Sequence, residues 1–154
     1  MDTSIEWTKD LNTGIDVIDE QHQNIVAYIN QLTEAIRLRD RRLVGKVLDK
    51  LADYCVSHLS FEESLMEEAG YLYLKPHKAM HDMFVKRLEK YREKYNAGED
   101  ISEQLHDMLG TWFVHHIKQV DMAYVSEVGE GLMSIVKNKE TGGWLSRSLK
   151  KYFG

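Results

Sequence analysis

Two pairs of potential metal ligands stand four residues apart near the middle of the chain. His58 and Glu62 form the first pair, and His77 and His81 form the second. Residues four apart lie one above the other on the same face of a helix, so each pair can direct two donor atoms at one point. Two consecutive helices joined by a turn at Gly70 can bring these points together. The spacing therefore predicts a metal site built between two helices.

Polar residues on the predicted core faces extend this site to four helices. His22 and His116 fall on the apolar stripes of the first and fourth helices. A purely structural polar core is the alternative, but burying so many unpartnered polar groups is unfavourable, whereas a metal converts neutral imidazoles into ligands. Imidazole with carboxylate suits iron, copper or zinc rather than calcium or magnesium. The donors exceed the four ligands of a closed zinc site, which favours two adjacent ions bridged by carboxylates.

The elements that must position these residues are predicted from hydrophobic periodicity. Four amphipathic helices with short connections indicate an all-α, antiparallel up-down-up-down four-helix bundle. Asp16 is expected to cap the first helix and Asp40 the second, and Pro76 suits the first turn of the third, where its missing N–H needs no partner. Asp100 and Glu103 resemble a capping box before the fourth helix.

The fourth helix is predicted to face the core with a regular stripe. This stripe comprises Leu105, Leu109, Trp112, His116, Val120 and Ala123. It favours His116 over the neighbouring His115 as the inward residue. His106 and His115 are expected to be surface residues or to support ligands indirectly, and Cys55 is expected to be a small buried hydrophobe.

Composition limits the class of protein. The chain has 154 residues, 43% hydrophobic and 29% charged, with a net charge of −5 and a sequence pI near 5.8, which is typical of one globular domain and gives no reason to expect nucleic acid. The first ten residues lack the features of a signal peptide, no stretch is apolar enough to span a bilayer, and a single cysteine cannot form an internal disulfide. We expect a cytoplasmic monomer.

The C-terminal segment differs from the bundle, and we divide the chain into a metal-binding bundle over residues 1–133 and a tail over 134–154. Thr141, Gly142 and Gly143 interrupt the helical pattern, and residues 144–154 form a basic amphipathic stretch. A short helix there could dock on a membrane surface or a protein partner. We favour the alternative, in which it folds back over the bundle.

Taken in order, these motifs resemble those of the hemerythrin family, and specifically its single-domain bacterial members. The resemblance runs from Trp7 to about Tyr124. It rests on Gly14 with Ile18-Asp19-Glu20-Gln21-His22, on His58-x-x-x-Glu62 followed by Glu63 and Met66, on His77-x-x-x-His81 followed by Phe84, and on Trp112 ahead of His116-Ile117-x-x-x-Asp121. Each pair alone is weak evidence, but the ordered set is specific.

The resemblance implies a non-haem di-iron centre. One iron would bind three histidines and the other two, and two carboxylates with a solvent-derived oxo or hydroxo group would bridge them. The three histidines of the first iron would be His77, His81 and His116. The two histidines of the second iron would be His22 and His58. The bridging carboxylates would be Glu62 and Asp121. The iron with two histidines would keep an open position. Asp19 and Glu63 could orient ligand imidazoles, with a plain surface acid as the alternative for Glu63.

Asp121 is the residue that regular helical geometry does not place in this centre. It follows His116 by five residues, which corresponds to about 140° around an ideal helix. A π-type bulge or a frayed turn near residues 117–121 would bring the two side chains together. We therefore predict a local distortion of the helix there.

The function implied by the resemblance is reversible binding of dioxygen for transport, storage or delivery, rather than catalysis. Leu59, Trp112, Phe113 and Ile117 lie beside ligand positions and are expected to form an apolar oxygen pocket, although plain core packing would also explain them. The alternatives are an oxygen or redox sensor, and a di-iron enzyme with peroxidase, ferroxidase or nitric oxide reductase activity.

Overall fold

Every regular element in the computed structural model, which describes residues 5–138 and 143–154, is helical. The α-helices are α1 (Asp16–Arg37), α2 (Arg41–Glu68), α3 (Leu74–Asn96), α4 (Ser102–His115), α5 (Met122–Lys137) and α6 (Trp144–Phe153). A six-residue π-helix, His116–Asp121, joins α4 to α5, and a 3-10 turn, Lys9–Leu11, lies in the N-terminal arm. The predicted all-α bundle is confirmed.

Local sequence accounts for the ends of α2 and the start of α3. The Asp40 carboxylate accepts a hydrogen bond from the Leu43 amide at 3.1 Å, which confirms the predicted cap. Gly70 follows the end of α2 with φ +74°, a left-handed conformation that a glycine adopts without steric penalty. Pro76 is the third residue of α3, within its first turn as predicted.

Two predicted caps are wrong in detail. Ile15 is the N-cap of α1, and Asp16 is the first helical residue, where its charge faces the positive end of the helix dipole. Helix α4 begins at Ser102, and Asp100 accepts from the Ser102 amide at 3.3 Å instead of completing a capping box with Glu103. A short aspartate turn replaces the box because Ile101 occupies the N-cap position.

The apolar interior consists of two clusters. The larger cluster spans the part of the bundle lined by Ile29, Leu32, Leu48, Leu51, Leu105 and Leu109, among others. The smaller cluster includes Ile18, Phe61, Leu65, Met66, Tyr124 and Leu132. Predicted polar ligands fall between members of the two clusters along the chain, as His22 does between Ile18 and Ile25 on α1. The fold thus places a polar layer inside the bundle, between two dry regions.

Helix α6 lies against the bundle. The Phe153 ring lies 5.4 Å from Tyr54 and 6.0 Å from Phe61, and the Trp144 ring lies 5.4 Å from Phe61. This confirms that the tail folds back. Thr141 and Gly142 lie outside the described residues.

The division of the chain at 133/134 stays a prediction, and α5 runs across it to Lys137. None of the helices in the described ranges combines the length and apolar character needed to cross a membrane.

Candidate metal centre

All seven predicted metal ligands are buried in the polar layer. Each is at most 4% exposed, and they come from α1, α2, α3 and the π-helix. The set comprises His22, His58, Glu62, His77, His81, His116 and Asp121. Side chains separated by up to about a hundred residues in sequence therefore meet inside the bundle, as the motifs predict.

The donor atoms fall into two groups that share one carboxylate. Glu62, His77, His81 and His116 form one group, and His22, His58 and Glu62 form the other, with the ligand atoms of each group within 4.8 Å of one another. We call them the three-histidine group and the two-histidine group. Their membership matches the division of histidines that the resemblance implies.

Glu62 places one carboxylate oxygen toward each group. Its Oε1 lies 3.1 Å from His77 Nε2 and 3.3 Å from His81 Nε2. Its Oε2 lies 3.4 Å from His58 Nε2 and 3.8 Å from His22 Nε2. A carboxylate in this orientation can contact two cations at once.

Asp121 repeats this arrangement. Its Oδ1 lies 2.9 Å from His116 Nε2 and 3.7 Å from His77 Nε2, whereas its Oδ2 lies 3.1 Å from His22 Nε2. Two carboxylates thus span the gap between the histidine groups. This is the geometry expected of a pair of bridging ligands.

The π-helix brings Asp121 into the centre. It covers the whole interval from His116 to Asp121, so the predicted distortion is confirmed. The wider π turn accommodates an extra residue and aligns positions five apart. The predicted inward stripe is therefore wrong after His116. Val120 is only half-buried and Ala123 is exposed, while Asp121 and Tyr124 are fully buried.

The polar atoms of the cluster are poorly satisfied by one another. His22 Nε2, His58 Nε2, Glu62 Oε2 and both Asp121 carboxylate oxygens are buried without a hydrogen-bond partner. Leaving such atoms unpaired costs about 1–3 kcal/mol each, and more for charged groups. Metal cations between the two groups would satisfy these atoms together, so the residues present fit a two-metal centre.

Comparison with known proteins agrees with this geometry. The family model described as "Hemerythrin HHE cation binding domain" matches residues 13–128. The chain belongs to the hemerythrin family. It is 45% identical to a bacteriohemerythrin of Pseudomonas aeruginosa over 96% of this chain and 97% of the relative, and 47% identical to one of Stenotrophomonas maltophilia over the same shares.

A solved structure also resembles this chain. A crystal structure of wild-type hemerythrin superimposes with a TM-score of 0.75 at 33% identity, covering 78% of this chain and 94% of that one. The hemerythrin helical bundle is therefore shared, whereas α6 lies beyond the residues that match the family model.

The two buried carboxylates and the histidines around them shift one another's pKa values. Burial alone would lower the pKa of His22, but Asp121 and Glu62 outweigh this effect and raise it to about 9. The same two carboxylates overcome burial at His116 and raise its pKa to about 10. Burial would raise the pKa of Glu62, yet the surrounding imidazoles hold it well below its usual range. Metal loading of this hemerythrin fold must therefore displace protons from histidines.

The two groups have different residues behind their imidazoles. His58 Nδ1 donates to the Gln21 side-chain oxygen at 2.7 Å, and burial lowers the pKa of His58 despite the nearby Glu62. His81 Nδ1 lies 3.2 Å from Glu63 Oε1, and although burial would lower the pKa of His81, Glu62 and Glu63 raise it. Glu63 thus contacts a predicted ligand and is not simply a surface acid.

Sequence reasoning missed the contact of Gln21 with His58. Its position immediately before His22, within a family motif, was the available signal. Asp19, the other candidate partner in that motif, instead holds the N-terminal arm, accepting from the Thr13 and Gly14 amides at 2.7 and 3.1 Å. It therefore fixes the start of α1 rather than an imidazole.

The remaining histidines lie outside the two groups. His106 is buried and hydrogen-bonded to the Thr33 hydroxyl, so the expectation of a surface or ligand-supporting role is wrong. His115 is exposed, which agrees with the choice of His116 as the inward residue. Cys55 is 4% exposed, as expected of a small buried hydrophobe.

A small cavity opens beside the centre and is lined by one histidine from each group. Leu59, Trp112 and Phe113 line it together with His58 and His116. The other lining residues are Ile25, Ile29, Cys55, Phe84 and Leu109. Its volume of about 10 Å³ is the space that the centre of one water-sized molecule can occupy. Ile117 is buried but is not among the lining residues.

Aromatic rings cover the opposite side of the centre. His77 lies 5.6 Å from the ring of Tyr124 and 6.4 Å from the ring of Tyr71. The Tyr124 hydroxyl has no hydrogen-bond partner, and burial with the nearby Glu62 and Asp121 charges raises its pKa well above the usual value. Tyr124 was missed because a regular helix would turn it away from the core.

Proposed function

We propose that this chain binds dioxygen reversibly at two non-haem iron ions joined by a bridging oxo or hydroxo group. His77, His81 and His116 would hold one iron, His22 and His58 the other, and Glu62 and Asp121 would bridge them. The observation that carries this proposal is the placement of one oxygen of each carboxylate toward each histidine group.

The two groups differ in the number of ligands that they offer. The three-histidine group has five protein donors when both carboxylates are counted, and the two-histidine group has four. A site with fewer protein ligands can keep a position open for a small molecule. When bound, the irons would supply reversible electron transfer to dioxygen, chemistry that none of the described side chains offers. The chain's own residues must hold the metals, admit the gas and exclude water.

The cavity beside His58 suits a small apolar gas. Apart from the two histidines, its lining is apolar and includes Leu59, Trp112 and Phe113. The Trp112 ring stacks between Phe84, at 3.9 Å, and His116, at 4.5 Å, which fixes one wall of the cavity to a ligand. A dry, fixed wall strengthens electrostatic interactions inside the site and keeps water from competing for the open position.

Reversible binding is favoured over catalysis by the poor supply of protons in this cavity. With His58 and His116 bound to metal, the lining residues include no carboxylic acid and no free imidazole, and burial raises the pKa of the Cys55 thiol to about 12. Breaking the bond between the two oxygen atoms calls for general acid catalysis by a positioned group. A cavity without such an acid is suited to holding dioxygen and releasing it unchanged.

Metal analysis and optical spectroscopy of the purified chain test this proposal. We expect about two irons per chain, a number set by the two donor groups. Anaerobic reduction followed by air should produce a charge-transfer band that disappears under vacuum and returns with air. Fewer than two irons after reconstitution, or a band that vacuum does not remove, would contradict reversible binding. Steady turnover with peroxide or nitric oxide would favour an enzyme.

The biological setting is part of the proposal. We infer a monomer that carries, stores or delivers oxygen in the cytoplasm, and we regard residues 1–133 as the metal-binding unit. The match of the family model to residues 13–128 supports this division. Sedimentation analysis of the iron-loaded chain would test the monomer.

We also retain the tail, residues 144–154, as a candidate contact with a protein or membrane surface. Its apolar side packs on Tyr54 and Phe61, so the exposed side with Lys150 and Lys151 is the side available to such a surface. Binding of the full chain to anionic vesicles, compared with the variant Lys150→Glu/Lys151→Glu, would test this contact.

A further inference from the structure

Exposed apolar side chains lie on the outer side of α3 and in the turn that precedes it. Leu72, Tyr73, Met80 and Met83 are 83%, 58%, 39% and 66% exposed, and we call these four residues the α3 patch. Met80 and Met83 are three residues apart, so they share one face of the helix, and Leu72 and Tyr73 lie in the turn before its first residue. Scattered exposed hydrophobics are common on protein surfaces, but a cluster of them marks an interaction site.

Basic side chains lie along the same helix, and Lys86, Arg87 and Lys90 follow Met83 by three, four and seven residues, on its face of α3. Residues 75–90 include two acidic residues, Asp82 and Glu89, of which Glu89 pairs with Arg92 at 3.0 Å. Five basic residues lie in the same range, namely Lys75, Lys78, Lys86, Arg87 and Lys90. All five are exposed, and none forms an ion pair with another described residue. The segment 75–90 thus has a formal charge of +3 in a chain whose net charge is −5.

Charge complementarity defines the partner that suits this surface. An apolar centre with a basic rim is complementary to an acidic protein with an apolar contact area. A second copy would place the same basic rims against each other across a two-fold axis, which is unfavourable. The surface therefore favours a different, acidic protein over self-association.

The α3 patch lies close to two of the predicted metal ligands. His77 and His81 lie on the buried face of α3, over the same two turns whose outer side carries Met80 and Met83. A protein docked on the patch would be separated from these imidazoles by about one helix diameter, roughly 10 Å. The other exposed large hydrophobics among the described residues, Leu38 and Val56, stand singly.

We propose that the α3 patch docks a small acidic one-electron carrier protein, of the iron–sulfur or flavin class, that returns the oxidised centre to its ferrous form. This inference rests on the proposed function, because an oxygen-binding iron pair that becomes ferric needs electrons. Two reduced carriers each give one electron and are oxidised, so that both ferric ions become ferrous. Solvent supplies the single proton that converts a bridging oxo group to a hydroxo group.

Reduction of the iron-loaded ferric chain by a reduced plant-type [2Fe–2S] ferredoxin tests this proposal. Met83→Glu and the double variant Lys86→Glu/Arg87→Glu should lower the second-order rate constant about tenfold at low salt, since like charges at a rim slow association. The difference should shrink at high salt because screening weakens it. Dithionite, a small reductant that needs no docking surface, should reduce all these proteins at the same rate.

Val56→Glu is the matched control. Val56 is 43% exposed and precedes the ligand His58 by two residues, just as Met83 follows His81 by two. The control introduces the same charge equally near a ligand but outside the patch, so its rate with ferredoxin should equal that of the unmodified chain. Calorimetric titration of ferredoxin should also show weaker binding for the patch variants alone.

Three results would overturn the proposal. Equal ferredoxin rates for the patch variants and the control would exclude docking at the patch. A change in oligomeric state with no change in rate would assign the patch to contacts between copies. Equal slowing with dithionite would place the effect in the centre itself. Failure of the proposed function is distinguishable, because it would appear as missing iron or a missing air-dependent band in the unmodified chain.

Discussion

The two sides of the buried centre are built differently. On one side, three histidines share two carboxylates, Glu63 supports one imidazole, and the rings of Tyr71 and Tyr124 close the interior. On the other side, two histidines share the same carboxylates, neutral Gln21 supports one imidazole, and His58 lines a small apolar cavity that His116 of the first side also borders.

This difference separates two tasks within one centre. More ligands and an anionic partner bind a cation more strongly, whereas fewer ligands beside a dry cavity leave space for a guest. We infer that the three-histidine side mainly retains metal and the two-histidine side mainly admits gas. Substitutions that act on both sides, on one side, or on neither test this division.

Glu62→Ala, which acts on both sides, should have the largest effect. Its two oxygens face both histidine groups, so its loss leaves each metal short of a ligand and leaves buried imidazoles unpaired. We expect the iron content to fall from about two to below one per chain. Elemental analysis measures this change, and Glu67→Ala, at an exposed position on the same helix, is the control. Two irons retained in Glu62→Ala would refute the shared bridge.

His58→Ala should separate the two sides. The three-histidine group keeps all of its donors, so we expect close to one iron per chain and no reversible oxygen band. His81→Ala is the counterpart on the other side. It should also lower the iron content, but the iron should be lost from the group that has more ligands. Mössbauer spectroscopy of the iron-loaded variants would show which environment is lost. If both variants lose the same iron signal, the two histidine groups do not bind separate irons.

Leu59→Phe should affect the gas without affecting the metal. The larger side chain fills the cavity beside His58, so oxygen association should slow by roughly tenfold, equivalent to about 1.4 kcal/mol of added barrier. Leu51→Phe overpacks the dry part of the same helix and is the control for the general cost of about 1–3 kcal/mol. Flash photolysis or stopped-flow mixing with oxygen measures the rate. Unchanged association in Leu59→Phe would show that the gas does not use this cavity.

Substitutions behind the imidazoles should have smaller effects. Gln21→Leu leaves His58 Nδ1 without its acceptor and should weaken iron binding at the two-histidine side by about 10–100-fold. Glu63→Gln keeps an acceptor for His81, and the Glu63 side chain is 21% exposed, so its effect should be smaller. Competition with an iron chelator measures both affinities. A larger effect from Glu63→Gln would reverse the order of the two sides.

Regular spacing explains which parts of the centre could be predicted from sequence. His58 with Glu62, and His77 with His81, need only an undistorted helix, and the structure places both pairs where periodicity predicts. The predicted N-cap of α1, Asp16, is wrong by one residue, because an aspartate is compatible with both the cap and the first turn.

The π-helix explains what regular spacing could not provide. Its position could be inferred because the family resemblance implies that His116 and Asp121 meet, but periodicity still predicted Val120 and Ala123 inward. One extra residue in the turn changes which side chains after it face the core. Contacts between helices, such as that of Gln21 with His58, depend on how helices pack and are not encoded in the spacing along one helix.

Tyr124→Phe should have the smallest effect and tests a residue that the π turn brings inward. The change removes one buried hydroxyl that has no hydrogen-bond partner and conserves the ring that packs on His77. Since no hydrogen bond is lost, the free energy of unfolding should stay within about 1 kcal/mol or increase. Denaturant unfolding measures this, with iron content as the second readout. If iron affinity instead fell by about tenfold, the hydroxyl would be holding Glu62 in place, and the tyrosine side would contribute to metal retention through a hydrogen bond as well as through packing.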